Sequence, residues 1–161
     1  MFELMYEHNG IGLAANQVDL PIQLFVIDPT GERGSSEQQV LINPVIQSAK
    51  GSAEAEEGCL SIPGVYANVT RPKSVQVMSF DLQGNEYNAR VEGLLGRVIQ
   101  HEYDHLHGNL FIDRVNEASL KQLDDELEAF EIEFRALRTD GKIDSDEVIQ
   151  KRLAEFEQKY C

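Results

Sequence analysis

Two histidines set four residues apart, His101 and His105, carry the clearest chemical meaning in this sequence. Glu102, Tyr103 and Asp104 stand between them, so the stretch reads His-Glu-x-x-His. On a helix, residues i and i+4 lie one above the other on the same face. Imidazoles so placed can grip one metal ion, and the intervening glutamate can reach a water bound to it. Leu94, Leu95, Val98 and Ile99 lead into the pair at helical spacing, and Gly108 follows as a C-terminal cap, so the spacing predicts a helix here. Taken alone, so short a pattern also fits a polar helix face with two solvated histidines.

Two imidazoles are one ligand short of a catalytic site, which usually takes three from the protein and leaves a position open. The sequence offers three sources. Cys59 sits in a glycine-flanked apolar stretch, where its plain alternative is a small buried core residue. Glu117, Glu126 and Glu128 could supply a carboxylate, as in a His-Glu-x-x-His endopeptidase, although all three also fit a solvated helix face. Cys161 could join Cys59 and both histidines and close a structural zinc module with no place for water. A Cys59–Cys161 disulfide stays open as well. Two cysteines make no disulfide scaffold, so a reducing compartment is expected.

The elements around these residues read as an α+β domain. Residues 1–9 put Phe2, Met5 and Tyr6 on one helical face, the end of a helix. The glycines at 10 and 12 mark a tight turn open to close backbone approach. Strands are expected at 22–28, at 40–46 with Pro44 marking an edge or bulge, and at 65–70. Residues 74–81 and 86–92 form a hairpin around Gln83-Gly84-Asn85, and 110–112 a last short strand. Leu120, Leu123, Leu127, Phe130, Phe134 and Leu137 recur at helical spacing up to Gly141, after which Asp144 and Glu147 resemble a capping box for a second helix. The expected architecture is antiparallel strands wrapped on a central metal-binding helix, followed by a helical C-terminal tail.

At 161 residues and 42% apolar content the chain can bury one sizeable core. A formal charge of −14 argues against nucleic-acid or anionic-membrane partners. No apolar run reaches membrane-spanning length. Glu3 and Glu7 suit neither a secretory signal nor a transit peptide.

Three stretches together resemble the peptide deformylases. That family carries Gly-x-Gly-Leu-Ala-Ala-x-Gln, Glu-Gly-Cys-Leu-Ser and Gln-His-Glu-x-Asp-His-Leu-x-Gly in this order, and residues 10–17, 57–61 and 100–108 match without a substitution. The resemblance runs from residue 1 to about 115, implying a catalytic domain over 1–115 and an acidic helical extension over 116–161. Family members carry a longer segment before the first motif, so Met1 is expected to be an internal methionine of a longer chain.

The resemblance implies a hydrolase that removes the formyl group from the N-terminal formylmethionine of new polypeptides. It implies that Cys59, His101 and His105 hold one divalent ion, commonly Fe(II), with zinc or nickel able to replace it. Glu102 would move protons, and the Gln17 side-chain amide and Leu60 backbone N–H would stabilise the oxyanion. Ile11, Gly12 and Gly58 would pair with an extended peptide. Leu94, Val98 and the stem of Arg97 would line the methionine pocket, although Leu94 and Val98 could equally be core. Glu57 and Arg71 would brace the Cys59 loop, and Asp104 would orient a neighbouring group, while His107 is expected to be exposed. The implied partners are N-formylmethionyl nascent chains near the ribosome, and the implied setting is a bacterial-type cytoplasm, with an organellar origin left open.

Overall fold

The structure, a computed structural model, describes residues 1–160. Its centre is a helix, α2 (Gly93–Leu106), laid against a five-stranded antiparallel sheet. The sheet has the order β1 (Gly12–Ala14), β2 (Leu24–Ile27), β3 (Gln39–Lys50), β6 (Ser74–Phe80), β7 (Glu86–Glu92). Strand alternation turns Val75, Val77 and Ser79 inward, where they are buried, and leaves Gln76, Met78 and Phe80 half-buried. Val98 and Ile99 of α2 pack against Phe25, Ile27, Leu41, Val75, Val77 and Val91. Each fully buried side chain of this kind contributes roughly 1.5–3 kcal/mol. The core therefore fixes the helix in place and rotation.

A second sheet, the hairpin of β4 (Ala53–Cys59) and β5 (Ile62–Arg71), lies on the other side of α2. Here the joint is polar. Arg97 donates to the carbonyls of Val69 and Ala53, and Gln100 donates to that of Pro72. The helix α1 (Phe2–Glu7) is fastened by the buried Tyr6 hydroxyl, which donates to Asp28 at 2.6 Å.

Several expectations need correction. Strand β4, Ala53–Cys59, stands where no element was expected. Residues 12–14 pair with β2, so the first motif is a short strand followed by a 3₁₀ turn at Ala15–Val18. The close approach at Gly12 comes from the Glu102 side chain and not from another backbone. Pro44 does sit in an irregularity: the β3–β6 register shifts between Ile42 and Val45, beside Asn43 with φ of 50°. Residues 110–112 are not a strand. Asp113 accepts the Leu110 N–H at 2.7 Å and starts a 3₁₀ turn, Phe111–Arg114, which buries Phe111.

The tail is also more divided than its periodicity suggests. It runs as α3 (Glu117–Leu120), a 3₁₀ turn, α4 (Asp124–Thr139) and α5 (Asp146–Tyr160). Leu120, Leu123, Leu127 and Phe130 pack on a second cluster with Ile62, Val65, Val69 and Phe111. Phe134 faces outward instead, 38% exposed. Ser145, not Asp144, faces the Val148 N–H, because α5 begins one residue later than the capping pattern implied, and Asp144 pairs with Arg152.

Candidate active site

Helix α2 sets His101 and His105 one turn apart, and the tight β4–β5 turn brings Cys59 to them from 42 residues earlier in the chain. The Cys59 Sγ lies 3.1 Å from His105 Nε2, which lies 3.2 Å from His101 Nε2. All three donor atoms fall within 4.8 Å of one another. Among the described residues this is the one such group, and neither Glu117, Glu126 nor Glu128 enters it. Cys161, the fourth ligand of a closed zinc module, lies outside the described residues.

The imidazole orientations are set from behind. Glu57, a buried carboxylate, accepts from His101 Nδ1 at 3.0 Å, which leaves Nε2 facing Cys59 and His105. The same carboxylate takes two hydrogen bonds from Arg71, at 2.6 and 2.9 Å, and one from Arg97 at 2.6 Å. Burial works against its charge, but hydrogen bonds from His101, Arg71 and Arg97 outweigh it and hold the carboxyl at about 2. Asp104 receives Arg71 on one side and Arg114 on the other. Asn16 donates to the His105 carbonyl, and Phe111 stacks on the His101 ring at 6.4 Å. Hydrogen-bonded supports of this kind orient metal ligands in general.

In the ion-free protein the three donors also polarise one another. Burial pushes the Cys59 thiol up, yet hydrogen bonds with His101 and His105 bring it down to about 5. Burial pushes His101 down, while hydrogen bonds to Cys59 and Glu57 and the Glu102 charge lift it to about 10. The site thus carries a thiolate beside an imidazolium. Glu102 is only 3% exposed, and its Oε2 has no hydrogen-bond partner. Burial raises its carboxyl, against the pull of His101 and His105, to about 7. A group poised near neutrality can both take and return a proton.

These residues open on a cavity of about 460 Å³ between β1 and β4, each the outer strand of its sheet. Ile11, Gly12, Gln17, Gly58, Leu60, Leu94, Arg97 and Val98 all line it, so every residue marked for peptide or oxyanion contact meets the same space. Val98 is buried and Leu94 is 53% exposed. The Arg97 head group is tied to Glu57 and two carbonyls, so only its stem is available. Gln17 Oε1 accepts the Ala14 N–H at 2.8 Å, reaching back across the first turn of its own 3₁₀ segment. His107 is exposed, its ring nitrogen against the Tyr103 carbonyl.

Sequence reasoning did not find that Glu57 holds His101, although Glu57 stands only two residues before Cys59 in β4. Tyr66, His8 and Asn9 also line the cavity without a local signal that marks them.

Comparison with known proteins points one way. The sequence model of the family described as "Polypeptide deformylase" matches residues 1–121. The peptide deformylase of Rhodopirellula baltica is 48% identical over 160 residues, 99% of this chain and 80% of its own length. The chloroplastic/mitochondrial peptide deformylase 1B of Arabidopsis thaliana is 42% identical over 155 residues, 96% of this chain and 57% of its own length. A crystal structure of the Arabidopsis 1B protein with an inhibitor matches with a TM-score of 0.79 at 44% identity, covering 84% of this chain and 76% of that one. A Synechococcus elongatus peptide deformylase crystallised with actinonin gives 0.72 at 48% identity, covering 76% and 68%.

Proposed function

This chain belongs to the polypeptide deformylase family, and from that premise we propose that its site hydrolyses the formyl group from the N-terminal formylmethionine of newly made polypeptides. The products are formate and a free α-amine. The observation that carries the reading is the meeting of Cys59 Sγ, His101 Nε2 and His105 Nε2 beside a buried Glu102 oxygen that no protein group satisfies.

The donor set fits a divalent ion. One thiolate and two imidazoles make a soft site with three protein ligands, the number that leaves room for water. Iron(II) is the proposed native ion, with zinc or nickel as substitutes. When bound, the ion supplies Lewis acidity and makes water more acidic. Glu102, whose Oε2 no protein group satisfies, would take a proton from the attacking water and return it to the departing amine. Its raised pKa, about 7, suits both tasks. The Gln17 Nε2 and the Leu60 N–H donate to the oxygen that gains charge as the formyl carbon becomes tetrahedral. One such donor is commonly worth about 2.7–4 kcal/mol of barrier lowering.

The peptide itself lies between β1 and β4 as an added strand, held by main-chain groups at Ile11, Gly12 and Gly58. Such binding is indifferent to most downstream side chains, which suits an enzyme that meets many nascent chains. The methionine side chain enters beside Val98, Leu94 and the Arg97 stem. Work close to the ribosome follows from the nature of the substrate. Bacterial and plant organellar relatives favour a bacterial or organellar compartment, and no helix among the described residues is long and apolar enough to cross a membrane.

The test is anaerobic purification, metal analysis and formate release from a formyl-Met peptide. Stoichiometric metal with formate release is expected. Cleavage of an unformylated peptide with no formate would favour the endopeptidase reading instead.

A further inference from the structure

Gln17 needs a second anchor to act as a donor. Its Oε1 accepts the Ala14 N–H at 2.8 Å, and since that group can only donate, the amide oxygen must face it. One hydrogen bond fixes which end of the amide points inward but leaves a pivot about that bond. The second contact is Ser61. Its Oγ accepts from Gln17 Nε2 at 2.9 Å, and this fixes the amide plane. The other Nε2 hydrogen points toward Cys59 Sγ at 3.8 Å, a long contact on the cavity side that a substrate oxygen can displace. Ser61 is itself registered to the ligand atom, because its backbone N–H points at Cys59 Sγ at 3.4 Å.

We infer that Ser61 is a positioning residue, whose hydroxyl holds the Gln17 amide so that one N–H is presented to the reacting oxygen. The inference rests on the deformylation reading for its effect on rate, but the hydrogen bond it invokes is a property of the protein alone. Ser61 is exposed, so its alternative partner is water, and its removal does not leave a buried group stranded. The expected loss is that of one ordinary hydrogen bond, smaller than the loss of the Gln17 donor itself.

Three rate measurements and one structural readout on the metal-loaded protein test it. Ser61→Ala should lower kcat for a formyl-Met peptide about 3- to 10-fold, with KM changed less than about twofold and metal content kept. Ser61→Thr, which retains the hydroxyl, should restore most of the rate. In a Gln17→Leu background, Ser61→Ala should cost nothing further, because its effect runs through Gln17. The structural readout is the side-chain amide resonance pair of Gln17 in zinc-loaded, ¹⁵N-labelled protein, which should shift in Ser61→Ala and stay near its native place in Ser61→Thr. An equal loss of kcat with and without Gln17 overturns the inference, as does an unchanged Gln17 resonance in Ser61→Ala, whatever the activity. A wild-type protein that releases no formate while its Gln17 amide still responds to Ser61→Ala overturns the function and upholds the positioning role.

Discussion

Adding one methyl group at Gly12 should disable the site without touching a metal ligand. A Cβ built there falls against the Glu102 side chain, overlapping Oε1 and lying 2.8 Å from Cδ and 2.9 Å from Cγ. Ordinary contact begins near 3.4 Å, so the carboxylate must retreat by about half an ångström or more. Backbone paired to β2, as Gly12 is to Ile27, cannot yield as a side chain can. Glu102 can, because its Oε2 has no partner holding it. Gly12 does not have positive φ, so alanine is tolerated by the backbone and the whole effect lies in the clash. Misplacing a reacting group by about 1 Å can cost about 10²-fold in rate. Overpacking of this kind typically costs about 1–3 kcal/mol of stability, or roughly 2–12 °C in Tm for a chain of this size. Formate release, metal analysis and thermal melts on the same Gly12→Ala samples measure all three. Metal should be stoichiometric, turnover about 10²-fold down and Tm lowered. In a Glu102→Ala background the same substitution should cost almost no stability, because the atoms it strikes are gone. A Gly12→Ala protein with native turnover would refute the role given to the Glu102 position, and an equal stability loss in both backgrounds would refute the clash.

Other expectations follow from the same geometry. Glu102→Gln keeps the size of the side chain and removes its basicity, so metal should stay while formate release falls at least about 10²-fold; normal turnover would remove Glu102 from the mechanism. In ion-free protein, alkylation of Cys59 by iodoacetamide should show an inflection near 5 rather than 9, since the histidines favour the thiolate, and added zinc should protect it; a profile centred near 9 would mean the contacts with His101 and His105 do not form. Glu57 sits at about 2 in the folded chain against an ordinary 4.5, so its charge stabilises the fold above about pH 4.5 and that contribution fades as pH falls toward 2. A shift of this size corresponds to at most about 3 kcal/mol. Urea melts of Glu57→Gln should show a large loss at pH 7, where Arg71 and Arg97 are left unpaired, and a loss that shrinks below pH 4; a pH-independent loss would contradict the assignment.

What could be seen in the sequence was whatever is settled within a turn or two of backbone. Helical spacing alone set His101 and His105 on one face of α2, and strand alternation turned Val75 and Val77 inward. The Gln83-Gly84-Asn85 turn implied the β6–β7 hairpin, and Pro44 implied the β3 irregularity. The three matching stretches named the residues that would meet, but not how. Local pattern failed where a long-range partner competed with it: Phe111 stacks on His101, and the expected strand at 110–112 is a 3₁₀ turn. Tertiary structure alone decided that a strand pair would deliver Cys59 to the helix, that Glu57 would hold His101 from behind, and that Gly12 would leave room for Glu102. Those contacts join residues 40 to 90 positions apart, and their free energy depends on the packing of the whole core, which no stretch of sequence contains by itself.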